Sequence, residues 1–210
     1  MLWYSLHILI QSMQPDVTES QKLKMERATS SKYASTRESQ NFAKLSRLFV
    51  ELLRDVLWET LTKRILPEEL PDKVCKNKQK LEMAGKMRED QYMRICRSGG
   101  GEISNEDFDI TLLYMLLRNL PMEEKKIQRP SKKWGSDVYP EEKNQNEGDD
   151  IERIRLRRNQ VFGHVTRASL PDAEFDLIWS DMLAVVKRFD IRLKTTFESE
   201  MEVILKDEMS

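Results

Sequence analysis

An all-α bundle of about four or five helices, with one long irregular loop, is the fold class that this sequence predicts. Three observations carry that reading. Glycine and proline number only seven each in 210 residues, and β-branched alternation is scarce. Apolar residues recur instead at intervals of three and four along several runs. The length suits one sizeable core and one domain. Charged residues make up 34% and apolar ones 39%, and the net charge is −1. There is thus no global attraction to nucleic acid or membrane, and any such attraction must be local.

In chain order, Leu2–Ile10 is apolar but short, has no basic lead, and is interrupted by Ser5 and His7. A bilayer span needs about 20 apolar residues, so this run is read as an extra docking helix or a frayed end, and it makes a poor signal peptide. A cytoplasmic home without membrane association follows. Residues 11–37 are polar, rich in serine and threonine, and lack an apolar period. Residues 1–37 are therefore expected to be a mobile extension ahead of a single domain spanning 38–207.

The first long helix starts near Glu38. Phe42, Leu45, Phe49, Leu52, Val56 and Leu57 step by three and four, Leu48, Leu53 and Leu61 widen the stripe, and the run stops near Leu66-Pro67. Pro71-Asp72 starts a weaker, mostly basic helix with Val74, Leu81 and Met83, and Glu89–Cys96 reads as another short one. Ser98-Gly99-Gly100-Gly101 lacks the lysine and the strand–helix context of a phosphate loop and is read as a connector. Cys75 and Cys96 have no histidine nearby; a zinc site needs about four converging ligands, so no metal is expected, and although the two could form one disulfide, nothing suggests secretion and they are expected as reduced, buried thiols.

Phe108–Leu120 is the most apolar segment and reads as a central helix. Pro121–Gly148 is a long polar loop, with Trp134 pinning part of it to the core. A helix over 150–162 follows, opened by Asp149 and Asp150 as cap and dipole partners. Ile151, Ile154, Val161 and Phe162 form its buried stripe, and Arg158 falls on it. Gly163 is placed as the residue just beyond the helix end. Leu170-Pro171-Asp172 opens the last long helix, whose stripe runs from Phe175 to Phe189 and on through Leu193 and Phe197 to Leu205.

Arg158 and His164 are the residues that ask for chemistry. Arg158-Asn159-Gln160-Val161-Phe162-Gly163-His164 resembles the Arg-polar-…-His motif of HEPN domains, all-α modules with four core helices. The segments DFDITLLYMLLRN, Trp134-Gly135, DDIERIRLRRNQVFGH and EFDLIWSDM, in that order, resemble the subtype found in DAZ-interacting-protein-like ubiquitin ligases and in multidomain immune-type proteins of invertebrates. The resemblance spans roughly Ser39 to Asp190. It implies an RNA-directed role, in which two copies pair through the helix carrying Arg158 and the apolar helix beginning near Phe108. In many such domains the homodimer forms a metal-independent and cofactor-free RNA-cleaving site, while many others only bind RNA. The resemblance equally admits a non-catalytic interaction or oligomerisation module in innate-immune or ubiquitin-ligase-type signalling.

In the catalytic reading His164 moves the proton between the 2′-oxygen and the leaving 5′-oxygen. Arg158 stabilises charge growing on the phosphate, and Asn159 orients either group. Six residues at 100° place His164 about 120° from Arg158 on an ideal helix, so the pair converges only if the chain leaves the helix at Gly163. Arg153, Arg155 and Arg157 form a ridge that would meet RNA phosphate. Against this stands a structural role. Arg158 would be held by Asp109, Asp176 or Asp181, His164 would cap the helix end, and the ridge would be a solvated face balanced by neighbouring acids.

Overall fold

In the computed structural model, which describes residues 36–83, 87–97, 103–122, 126–163 and 167–207, the first apolar run is one rod in three pieces. These are α1 (Arg37–Arg47), a π-helical segment (Leu48–Leu52) and α2 (Leu53–Thr62). The Leu53 N–H donates to the Leu48 carbonyl, five residues back rather than four. Leu48, Phe49, Leu52 and Leu53, in and beside that one wide turn, are all buried. Nearly the whole of the expected 1–37 extension, including Leu2–Ile10, lies outside the described residues.

Three short helices follow: α3 (Leu70–Lys76), α4 (Lys78–Met83) and α5 (Glu89–Arg97). The expected single basic helix is thus split at Asn77, whose side chain folds back to donate to the Lys73 carbonyl. Leu70, Val74, Leu81 and Ile95 carry this group into the main core. Here the cysteine expectation is corrected. Cys75 and Cys96 are not reduced thiols but a disulfide that joins α3 to α5 across a Cα–Cα distance of 6.2 Å. Packing of α3 on α5 brings the two together. Ser98–Gly101 lies outside the described residues.

Apolar on nearly all sides, α6 (Ile110–Asn119) is covered by α2, α4 and α7 (Glu147–Gly163). Asp109 caps it by accepting from the Leu112 N–H at 2.7 Å. Ile110 and Leu112–Leu117 are all buried within the protomer. The fourth long element, α8 (Asp172–Leu193), packs on α1, α2 and α7. It does not run on to Leu205. Lys194 takes a left-handed φ of 59°, and the Asp190 carboxylate then caps a separate α9 (Phe197–Lys206) through the Phe197 and Glu198 N–H groups. Among the described residues there is no strand, so the fold is all-α, with more helical segments than the four or five expected.

The loop before α7 has no regular structure over 126–146, yet it is fastened along its length. Trp134 meets Tyr114 edge-on at 6.0 Å. Gly135, at φ 75°, donates its N–H to Glu152 at 2.6 Å, and Glu152 also accepts from the Tyr114 hydroxyl at 2.7 Å. Gly148 lies against the loop so closely that a Cβ there would sit 2.6 Å from the Pro130 nitrogen.

Candidate functional site

Asp149 and Asp150 open α7 differently from the cap assigned to them. The helix begins at Glu147, and the Asn146 side chain caps it by accepting from the Asp149 N–H at 2.9 Å. Asp149 instead anchors the loop, accepting from the Ser131 N–H and hydroxyl at 2.7 and 2.8 Å. Asp150 is fully buried and receives three guanidiniums: Arg153 at 2.9 Å, Arg188 at 2.6 Å and Arg192 at 2.7 Å.

Arg153, Arg155 and Arg157 are neither an open phosphate ridge nor a solvated face. Arg153 is 3% exposed, pairs with Asp150, and donates to the Glu141 and Asn144 carbonyls at 2.7 and 2.6 Å. Arg155 pairs with Glu152 at 2.7 Å, donates to the Ser136 carbonyl, and lies over the Tyr114 ring. Arg157 pairs with Asp181 at 2.7 Å and lies over the Tyr139 ring. Arg153 and Arg157, four residues apart, lie on one face of α7, and Arg155, two residues from each, points away from them. Desolvation first, and then the Asp181 carboxylate, push the Tyr139 phenol well above its usual range. The Tyr114 phenol is raised to about 12, mainly by burial and secondly by its bond to Glu152.

Arg158 behaves differently from these three. Asp109 serves as a helix cap, Asp181 is taken by Arg157, and Asp176 is exposed, so none of the expected acids holds Arg158. Among the described residues its hydrogen-bond partner is the Asn159 side chain at 3.3 Å, and its guanidinium lies 5.9 Å from the Phe162 ring centre. Phe162 in turn meets Phe42 and Phe49 edge-on, at 6.1 and 6.2 Å. The last turn of α7 is thereby tied to the first rod, and the arginine is carried at a rim.

That rim borders a groove of about 400 Å³. Phe49 and Val50 enter it from the π segment, Arg54 from α2, Arg88 and Arg94 from the α5 region, and Phe108 from the turn before α6. Arg54 pairs with Asp55 and Arg88 with Asp90. Glu106, Asp107 and Asp109 line the groove as well, so its charge is mixed rather than uniformly basic. Of these lining residues the sequence singled out Phe49 and Phe108 as apolar helix positions and Asp109 as a partner for Arg158, and the others did not stand out. They come from parts of the chain tens of residues apart, and no periodicity reveals their meeting. Among the described residues, no group of His, Cys, Asp and Glu side chains is placed to hold a metal.

Gly163 is still helical, the last residue of α7 described, and its φ is not left-handed, so it is not the cap residue expected. His164 lies outside the described residues, and with it the question of whether it approaches Arg158. Trp58 packs on Phe108 and Trp179 on Phe175, both as core residues.

Comparison with known proteins gives a single kind of match. The family model described as DZIP3/hRUL138-like HEPN matches residues 67–209. No curated protein and no solved structure matches the chain.

Proposed function

This chain belongs to the DZIP3/hRUL138-like HEPN family, and from that premise we propose that it engages RNA at the Arg158 groove and cleaves it through Arg158 and His164. The observation that supports this reading is an arginine left without a carboxylate partner among the described residues, on a helix where three other arginines each have one. A guanidinium held at a rim beside an open groove is available to a phosphodiester, and its planar fork suits two phosphate oxygens. Asn159 steadies it, Phe162 and Phe49 give it an apolar floor, and His164 supplies the acid–base step. Arg153 and Arg155 take no part, because the fold already uses them, and Arg157 faces a separate cleft.

The test is incubation of the purified chain with labelled RNA in EDTA, beside Arg158→Ala and His164→Ala. Loss of cleavage by about 10²–10⁴-fold in His164→Ala supports the acid–base role. Cleavage unchanged in both variants defeats it.

A second reading is favoured by one observation. Val50 is 58% exposed and lines the same mixed-charge groove as Arg158, a combination suited to a protein surface. In that reading the groove seats another copy or a partner chain and no cleavage occurs. Because α6 is buried in its own protomer, a second copy would meet the end of α7 and the π segment rather than the apolar helix.

A further inference from the structure

A second cleft lies between the loop, α7 and α8, encloses about 500 Å³, and shares no lining residue with the Arg158 groove. Its chemistry comes from an imbalance of buried and half-buried charge. Arg153, Arg188 and Arg192 all converge on Asp150, while Arg157 and the Tyr139 hydroxyl share Asp181. Four guanidiniums therefore face two carboxylates in one cluster. Arginine does not shed its proton, so the excess positive charge stays. Carbonyls of Glu141, Asn144 and Gln145 satisfy donors of Arg153 and Arg192, but they carry no charge. Glu142 stands on the lip, where exposure leaves its carboxylate to solvent and salt.

Donors remain on the cleft wall. Arg188 directs Nε and Nη2 to Asp150, and Arg157 directs Nε to Asp181 and Nη1 to Gln160. Arg188 Nη1 and the Ser180 hydroxyl take no hydrogen bond among the described residues, and Arg157, which also meets the Tyr139 hydroxyl, adds its charge beside them. Next to them on the exposed face of α8 stand Leu177, 57% exposed, and Ala184.

We propose that this cleft binds a phosphate monoester with an apolar body, the phosphate meeting Arg157, Arg188 and Ser180 and the apolar body lying along Leu177 and Ala184. A dianion fits the charge excess better than a carboxylate. Its tetrahedral oxygens suit donors arriving from two helices, whereas a lone carboxylate would only duplicate Asp181. Pro140 and the Tyr139 ring line the same cleft, so an apolar body has further surface beside the leucine.

The test is calorimetric titration of the full chain with phenyl phosphate and, separately, with inorganic phosphate, at low salt and a pH above the second phosphate pKa of about 6. Phenyl phosphate should bind the tighter of the two, and added salt should weaken it. Ser180→Glu, an exposed change that places a carboxylate between the two guanidiniums, should weaken phenyl phosphate at least about tenfold while leaving the helical circular dichroism intact. Leu177→Ser should bring the two probes close to equal affinity. Arg158→Ala should bind both as the parent does, which separates this cleft from the RNA groove. Equal binding of the two probes by the parent chain, or unchanged phenyl phosphate affinity in Ser180→Glu, overturns the proposal.

Discussion

Asp150→Ala removes the carboxylate on which three guanidiniums converge. Asp150 is fully buried and Arg153 is 3% exposed, so the change leaves Arg153 charged, enclosed and held only by carbonyls, with Arg188 and Arg192 repelling it. Breaking a buried pair by removing one partner costs about 3–5 kcal/mol. In a domain of 150–250 residues each kcal/mol moves the melting point by about 2–4 °C, so the expected fall is roughly 6–20 °C. The measurement is thermal unfolding followed by circular dichroism at neutral pH. Glu51→Ala is the comparison: Glu51 also pairs with an arginine, at 2.9 Å, but its side chain is 56% exposed, and the loss there should stay below about 1 kcal/mol. If the Asp150→Ala melt falls by less than about 2 °C, or no further than that of Glu51→Ala, the carboxylate does not hold the cluster and the reasoning from burial fails.

Arg158→Ala should leave stability within about 0.5 kcal/mol of the parent, because no acid loses a partner; unfolding by urea reads this directly. Tyr114, whose phenol is raised to about 12 from 10, binds its proton more tightly folded than unfolded. Its contribution is therefore complete below about pH 10 and is lost as pH climbs towards 12, and Tyr114→Phe should flatten that part of a stability-against-pH curve. Reducing the Cys75–Cys96 bond, which spans 21 residues, should destabilise the chain by about 3 kcal/mol on chain-entropy grounds, visible as a lower melt in dithiothreitol that Cys75→Ser/Cys96→Ser no longer shows. Gly148→Ala should cost about 1–3 kcal/mol, since its Cβ would press on Pro130; an unchanged melting point would mean that the loop yields there without penalty.

The helices were legible because their signal is local. Phe42 to Leu61 and Phe175 to Phe189 repeat at three and four, and burial follows the same residues. The π turn at Leu48–Leu52 was not, because a wide turn and a broad α stripe bury the same leucines. The partners of the arginines were also hidden. Periodicity places Arg153, Arg155 and Arg157 on α7 but is silent about Pro140, Ser136 and Asp181, which come to them from a loop without period and from another helix. Arg158 was singled out because it sits on an apolar stripe, and it proved to lie where that stripe leaves the core, at the rim beside Phe162. The disulfide was set aside for want of any sign of secretion, and two cysteines 21 residues apart say nothing of how short helices between them double back.

Residues 126–146 have the composition of a segment that a protease would cut first, yet their attachments come from the interior of the helix that follows. Ser131, Gly135, Ser136 and the 140–144 stretch are each held by a different side chain of α7. The stretch from Ser131 to Asn144 cannot lift away without several of those bonds breaking, and α7 cannot keep its charged side chains buried once they have broken. Opening of the segment and loss of the helix therefore become one cooperative event. The Ser131 and Gly135 amide protons, bonded to Asp149 and Glu152, should exchange with solvent on nearly the timescale of global unfolding, and trypsin should find Lys132 and Lys133 only in molecules that have already come apart. Two amides in a stretch without a single helical turn would then rank among the slowest of the molecule to exchange.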